Sequence, residues 1–501
     1  MPAPLAEAPV PFYIRHAGYL ERERNSGMPP VGLSFDDVLV QPNFSTISSR
    51  KGPEISLVTS VASGLEVNSP IMTANMDTVT EWEMAQEIAL LGGVGVIHRY
   101  LSPDEQARQV KIVKEKTRAM EDKPLSVHLD ATAKDIKKLW SLNRRGYVFV
   151  QDADGNFLGM ATEKDVKSAI NEDDPISSFM TPKDKLITVL EGTTLEQAVL
   201  VMRTRKIEKV PVVSEDGRIV GVFTTKDAEI YKSHPNASRD KKGRLIVGAA
   251  VGVKNKALEI ERAHKLVEAG VDIIIIDIAH GDSENMTKML QALVSDENIK
   301  VPIIAGNIAT GDAAKRLIDK GVKGLKVGIG PGWACDTRVI AGVGRAQISA
   351  IASVAAIAVP QGITVIADGG MRSPGDLVKA LVAGADIGMF GGMFAGTNET
   401  PGTVFKKDGQ RFKRYRGMAS DSARNNARGS DNVELQDAPE GREKEVLLKG
   451  PAGDIYRLIE GGLRSGASYI GAHTIPDMRL KGTFERVTGA GAGEQYGKIK
   501  S

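Results

Sequence analysis

Short apolar runs alternate with helical patterns along most of the chain. The runs occupy residues 70–75, 93–98, 245–252, 272–279, 302–307, 324–330, 364–370 and 386–392. Several are apolar at consecutive positions rather than at alternate ones, as in Ile273, Ile274, Ile275 and Ile276. Strands of that kind are buried on both faces, which is the pattern of parallel sheets covered by helices. Eight strand–helix units predict an α/β fold, a (β/α)8 TIM barrel with its chemistry in the loops after the strands. A doubly wound open sheet is the competing architecture. It ranks lower because no G-x-G-x-x-G follows a strand and opens a helix.

The pattern breaks between the second and third runs. Residues 121–236 carry an internal repeat in which Gly155 and Gly217, and Asp165 and Asp227, are each separated by 62 positions. Each copy reads as helix, strand, Asp-Gly hairpin, strand and a helix start at Thr-x-x-Asp. The repeat resembles a tandem CBS-domain pair. That resemblance implies adenine or guanine nucleotide binding, with Thr162, Asp165, Thr224 and Asp227 at the two sites; a spacer without ligand is the alternative. The expected organisation is an N-terminal arm and first part of the barrel (1–120), the inserted regulatory pair (121–236), and the remainder of the barrel (237–501). Residues 1–30, rich in proline and charge, are expected to form an arm or extended leader.

Composition narrows the function classes. At 501 residues, with 42% hydrophobic and 26% charged positions and a net charge of +2, the chain reads as a soluble multidomain protein. Nothing in that balance calls for nucleic acid or a membrane as partner. No basic leader precedes an apolar core at the N-terminus, so a cytoplasmic enzyme is expected. A single cysteine excludes an intrachain disulfide.

That cysteine, Cys335, follows the sixth run on a loop with Gly328, Gly330 and Gly332. Glycines let such a loop fold tightly around a ligand, and Asp336, Thr337 and Arg338 make its surroundings polar. Cys335 is the candidate nucleophile. The loops after the seventh and eighth runs, with Asp368, Gly370, Gly391 and Gly392, suit a phosphate cradle, and Asp368 suits a ribose diol. Asp277 ends the strand expected in the fourth run, two positions before Ala279, and suits a nicotinamide ribose. His98 and His280 are weaker candidates of the same placement. The polar stretch 422–437 reads as a mobile flap leading to Glu440 and Gly441.

Together these stretches resemble the IMP dehydrogenase/GMP reductase family from about residue 30 onward. The resemblance implies that Cys335 attacks C2 of a purine nucleotide and that a nicotinamide cofactor exchanges hydride at that carbon. It places Asn307, Asp368, Gly370, Gly391, Gly392, Tyr415, Gly417, Met418, Glu440 and Gly441 on the nucleotide, with Glu440 at the base edge. Asp277, Ala279, Gly328 and Gly330 fall on the cofactor. The loop carbonyls of Gly330, Gly332 and Cys335, with Glu494, are implied to hold K+. Homotetramers that pair into octamers are implied as well.

The flap separates the two activities. Dehydrogenases carry a Ser-Asp-Arg-Tyr-like segment whose arginine and tyrosine activate water, and residues 430–433 here read Ser-Asp-Asn-Val. The expectation is therefore a GMP reductase using NADPH, with Thr337 and Asp421 assisting departure of ammonia. The alternatives are an IMP dehydrogenase using NAD, with Arg424 or Arg428 as base, and a nucleotide sensor with a decayed barrel. Two loop positions depart from the family: Trp333 stands where a phosphate-contacting serine is usual, and Asp336 follows the cysteine.

Overall fold

A computed structural model describes residues 10–116, 120, 124–143, 146–420, 422–423, 440–489, 491 and 493. It divides into two compact units: Met1–Lys114 with Asn236–Asp240 and Leu245–Ser501, and Glu115–Pro235 with Lys241–Arg244.

The first unit is a closed barrel of eight parallel strands, β1 (Ile71–Thr73), β2 (Val94–Ile97), β3 (Val247–Val251), β4 (Ile273–Asp277), β5 (Ile303–Ile308), β6 (Gly324–Val327), β7 (Thr364–Asp368) and β8 (Ile387–Phe390). Seven lie inside an apolar run, and β5 overruns its run by one residue, Ile308. Pairing runs in chain order around the ring and closes through β8 with β1. The double burial has a period of two. Ile273 and Ile275 join Met72, Val94, Val96, Ile304, Ile366 and Met389 in one cluster, while Ile274 and Ile276 belong to the larger core shared with the helices. One residue type therefore serves both faces of β4, which is why its sequence shows no alternation.

Residues 12–25 depart from the expected extended arm. They form the helix Phe12–Asn25, which buries Tyr13, His16 and Leu20 and packs on the helix Gln347–Ala358. The stripe is only three residues wide at spacings of three and four, and the surrounding charges mask it in the sequence.

In the second unit the repeat is exact in structure. The helices Ala133–Asn143 and Leu195–Arg205, the strands Tyr147–Gln151 and Lys209–Val213, and the strands Phe157–Thr162 and Ile219–Thr224 all begin 62 residues apart. Both hairpins carry an irregularity at the same place, between Val150 and Gln151 and between Val212 and Val213. Among the described residues no helix is long and apolar enough to cross a membrane.

Candidate active site

The C-terminal ends of the barrel strands open into a cavity of about 1190 Å³. Its floor is a charged cluster contributed by β4, β5, β6 and β7. Lys326, a lysine inside an otherwise apolar strand, extends its ammonium to 2.9 Å from Asp277 and 2.8 Å from Asp368. It also donates to Oδ1 of Asn307, whose Nδ2 donates to Asp368 Oδ2 at 2.9 Å and to the Gly328 carbonyl at 2.7 Å. Only 3% of the Lys326 side chain is exposed. Burial disfavours every charge here, so each survives through its neighbours. Burial pushes the Asp277 carboxyl up, but Lys326 and Arg99 outweigh it and hold the group below the ordinary carboxylate range. Burial likewise works against the Lys326 ammonium, and the two aspartates more than reverse that effect.

After β6 the chain turns sharply. Gly328 has φ +152°, and a Cβ there would lie 2.2 Å from the Asp368 carbonyl oxygen, so only glycine lets this loop cross the end of β7. Gln347 braces the crossing by donating to the Val327 and Asp368 carbonyls at 2.8 and 3.1 Å. The loop then presents Cys335, half-buried, with its Sγ 3.3 Å from Thr337 Oγ1. The Thr337 hydroxyl donates to Glu440 Oε2 at 2.6 Å. Thiol, hydroxyl and carboxylate thus form one chain of contacts on the cavity wall.

Backbone pairing holds that chain in register. Cys335 and Gly441 form an antiparallel bridge, Asp336 N–H donates to the Glu440 carbonyl at 2.8 Å, and Arg442 N–H donates to the Ala334 carbonyl at 3.1 Å. Gly417 completes the layer by donating its N–H to the Arg442 carbonyl. A Cβ at Gly417 would meet the Ala334 carbonyl at 2.6 Å, which requires glycine at this approach. Tyr100 secures the adjacent Met418 by donating to its carbonyl at 2.6 Å.

The cavity is also lined by Gly370, Gly391, Gly392 and Tyr415, beside the residues that precede Cys335 on its loop. Tyr415 is buried, and burial, aided by the charge of Asp368, raises its pKa above the ordinary phenol value. Its hydroxyl lies 3.9 Å from Met76 Sδ, and its ring stacks on Trp333 with centroids 5.4 Å apart. Lys449 reaches the same glycines, donating to the Gly392 and Met393 carbonyls at 3.2 and 3.1 Å.

The structure gathers Cys335, Thr337, Asn307, Asp368, Gly370, Gly391, Gly392, Tyr415, Gly417, Met418, Glu440, Gly441, Asp277, Ala279, Gly328, Gly330 and Gly332 around this one cavity. Asp421 and Glu494 lie outside the described residues, as do the flap positions 424–439. In the second unit Asp165 accepts from its own Thr162 N–H and Oγ1 at 2.8 and 2.6 Å, capping the helix Glu163–Lys167. The Asp227 side chain lies outside the described residues. Sequence reasoning overlooked Lys326 and the contact between Glu440 and Thr337. The first had a signal, a lysine at a strand position where burial is otherwise apolar. The second joins residues 103 positions apart and had none.

Comparison with known proteins fits this geometry. The family model described as IMP dehydrogenase / GMP reductase domain matches residues 32–497. The inosine-5'-monophosphate dehydrogenase of Nitrosopumilus maritimus is 42% identical over 475 residues, covering 92% of this chain and 97% of that protein. The GMP reductase of Leishmania major is 40% identical over 478 residues, with 93% and 96% covered. A crystal structure of a Trypanosoma brucei GMP reductase in complex with guanosine 5'-monophosphate superposes with a TM-score of 0.83 at 40% identity, covering 94% of this chain and 98% of that one. With the family model spanning nearly its whole length, the chain belongs to the IMP dehydrogenase/GMP reductase family of oxidoreductases, which use nicotinamide nucleotides.

Proposed function

We propose that the protein is a GMP reductase that converts GMP and NADPH to IMP, ammonia and NADP. The observation carrying this reading is the contact chain from Cys335 through Thr337 to Glu440. It supplies a nucleophile and a proton path in a protein whose residues 430–433 lack the arginine and tyrosine of a water-activating flap. The GMP held by the T. brucei relative supports the same substrate. Relatives named as dehydrogenases match equally well, so the second reading is IMP dehydrogenation with NAD, Arg424 or Arg428 taking the base's part.

In the proposed reaction Cys335 Sγ bonds to C2 of the purine. The C2–N bond breaks, and the amino group takes a proton as it leaves as ammonia. Thr337 lies between thiol and carboxylate: it relays the proton that Cys335 gives up on attack to Glu440, and Glu440 then returns a proton through it to the departing amino group, with Asp421 as a further acid. When bound, the reduced nicotinamide supplies a hydride to C2. The C–S bond then breaks, freeing IMP and the thiolate. The cavity residues fit these ligands. Asp277, kept ionised by Lys326, is available to a nicotinamide ribose beside Ala279. Both bonds to Asp368 from Lys326 and Asn307 fall on Oδ2, and Oδ1 is the atom proposed to accept from the nucleotide ribose. Gly370, Gly391, Gly392 and Tyr415 would surround the phosphate.

The second unit is proposed as a CBS pair whose adenine or guanine nucleotides regulate the barrel through Thr162, Asp165, Thr224 and Asp227. The carbonyls of Gly330, Gly332 and Cys335, with Glu494, are proposed to hold K+ in a homotetramer or octamer. The test of the reaction is absorbance at the reduced-nicotinamide band in two cuvettes, GMP with NADPH and IMP with NAD. Loss of signal in the first alone is expected. Gain in the second alone would establish the dehydrogenase, and silence in both would leave a shifted substrate or nucleotide sensing.

A further inference from the structure

The two loop positions that depart from the family pattern are engaged with Lys444 and Arg442, two residues apart at the start of one strand. Trp333 is half exposed on the cavity wall, an unusual setting for an indole, yet its ring has two partners. Tyr415 stacks on it at an interplanar angle of 22°, and the Lys444 ammonium lies 4.2 Å from its ring centroid. Tyr415 and Lys444 are register partners on the antiparallel strands Gln410–Arg416 and Glu443–Leu447. Asp336 accepts from Arg442 Nε at 2.5 Å. Arg442 and Lys444 flank the start of the second strand, and Tyr415 lies near the end of the first. These strands lead into and out of the segment 417–442.

We propose that Trp333 with Lys444, and Asp336 with Arg442, form a two-point latch that fastens the cysteine loop to the returning strand. The latch keeps Glu440 against Thr337, so Trp333 and Asp336 are positioning residues for proton transfer. The spacing supports this. Glu440 lies two residues before Arg442 and four before Lys444, and Thr337 one after Asp336. Clamping the outer pairs therefore sets the inner one. The serine's place on the phosphate is then secondary: Trp333 is a wall that holds two loops together. This inference rests on the proposed reaction only for its catalytic half.

Hydrogen exchange of the full-length protein tests the latch without turnover. In Trp333→Ser and in Arg442→Ala, amides of 334–342 and 440–447 are expected to exchange faster, about tenfold for the loss of stacking and cation contact and about threefold for the half-exposed ion pair. Trp333→Phe should keep most of the protection. The charge-reversed pair Asp336→Arg with Arg442→Asp should restore what either single change loses. Unchanged exchange in both variants would overturn the latch whatever reaction the enzyme runs. The catalytic half is read from kcat with GMP and NADPH. It should fall by the same factors, with the KM for GMP within about twofold. Faster exchange with unchanged kcat, or a KM that rises in step with the fall in kcat, would overturn the positioning role. A wild type silent with GMP and NADPH fails the proposed reaction and leaves the exchange result standing.

Discussion

The floor and the rim of the cavity are built on opposite principles. On the floor, Asp277, Asn307, Lys326 and Asp368 come from four neighbouring strands and are held by direct, buried charge contacts. At the rim, Cys335, Thr337 and Glu440 come from loops far apart in sequence, joined by backbone bridges and half-exposed side chains. A buried ammonium between two carboxylates has one favourable arrangement, and leaving it costs several kcal/mol. A rim contact loses much less when it opens, because water replaces it. On the proposed reading, ligand-binding groups sit where rigidity is greatest, and the groups proposed to make and break bonds sit where motion is cheap.

The largest expected effect is at the rim. Cys335→Ala removes the only nucleophile of the proposed mechanism, so turnover should vanish while calorimetric titration still detects nucleotide binding. Measurable turnover would sink the nucleophile assignment and leave the contrast without its chemical half.

A matched pair sharpens the contrast. Glu440→Gln should lower kcat by about 100-fold, the usual scale for a lost acid–base group, with little change in the melting temperature. Lys326→Met leaves two buried carboxylates without their cation and should cost about 3–5 kcal/mol of stability by chemical denaturation, along with binding. Equal stability loss in the two variants would erase the distinction between floor and rim.

The smallest effect concerns the support behind the floor. His16 bonds Ser349 Oγ at 2.8 Å on the helix whose first residue, Gln347, braces the crossing of β6 and β7. Burial, with Arg345 nearby, lowers the His16 pKa from 6.5 to about 4. The folded state therefore prefers the neutral ring. Its contribution is complete above pH 6.5 and is lost as pH falls towards 4, because the unfolded chain takes up the proton first. The melting temperature should drop across that window, and less steeply in His16→Gln. Parallel slopes would refute a role for His16.

Much of this was legible without coordinates because it is local. A buried parallel strand needs apolar residues on both faces, so eight runs announced eight strands, and the glycines at 328, 370, 391 and 392 announced loops that approach something closely. The 62-residue repeat likewise needed only comparison of the chain with itself. The helix Phe12–Asn25 was hidden because three apolar residues among charges are a weak stripe until a partner helix covers them. Lys326 read as an irregularity in a strand because its meaning depends on aspartates 49 residues before and 42 residues after it.

The sequence by itself determined the barrel, the inserted repeat and the membership of Cys335, Asp277 and Asp368 in one site, since burial pattern and strand order place every strand end at the same mouth. Only the tertiary structure decided which groups touch there: that Glu440 meets Thr337, that Lys326 joins two aspartates, and that Trp333 faces Tyr415 and Lys444. Contacts between side chains depend on loop paths and angstrom distances, and neither is encoded in any window of neighbouring residues.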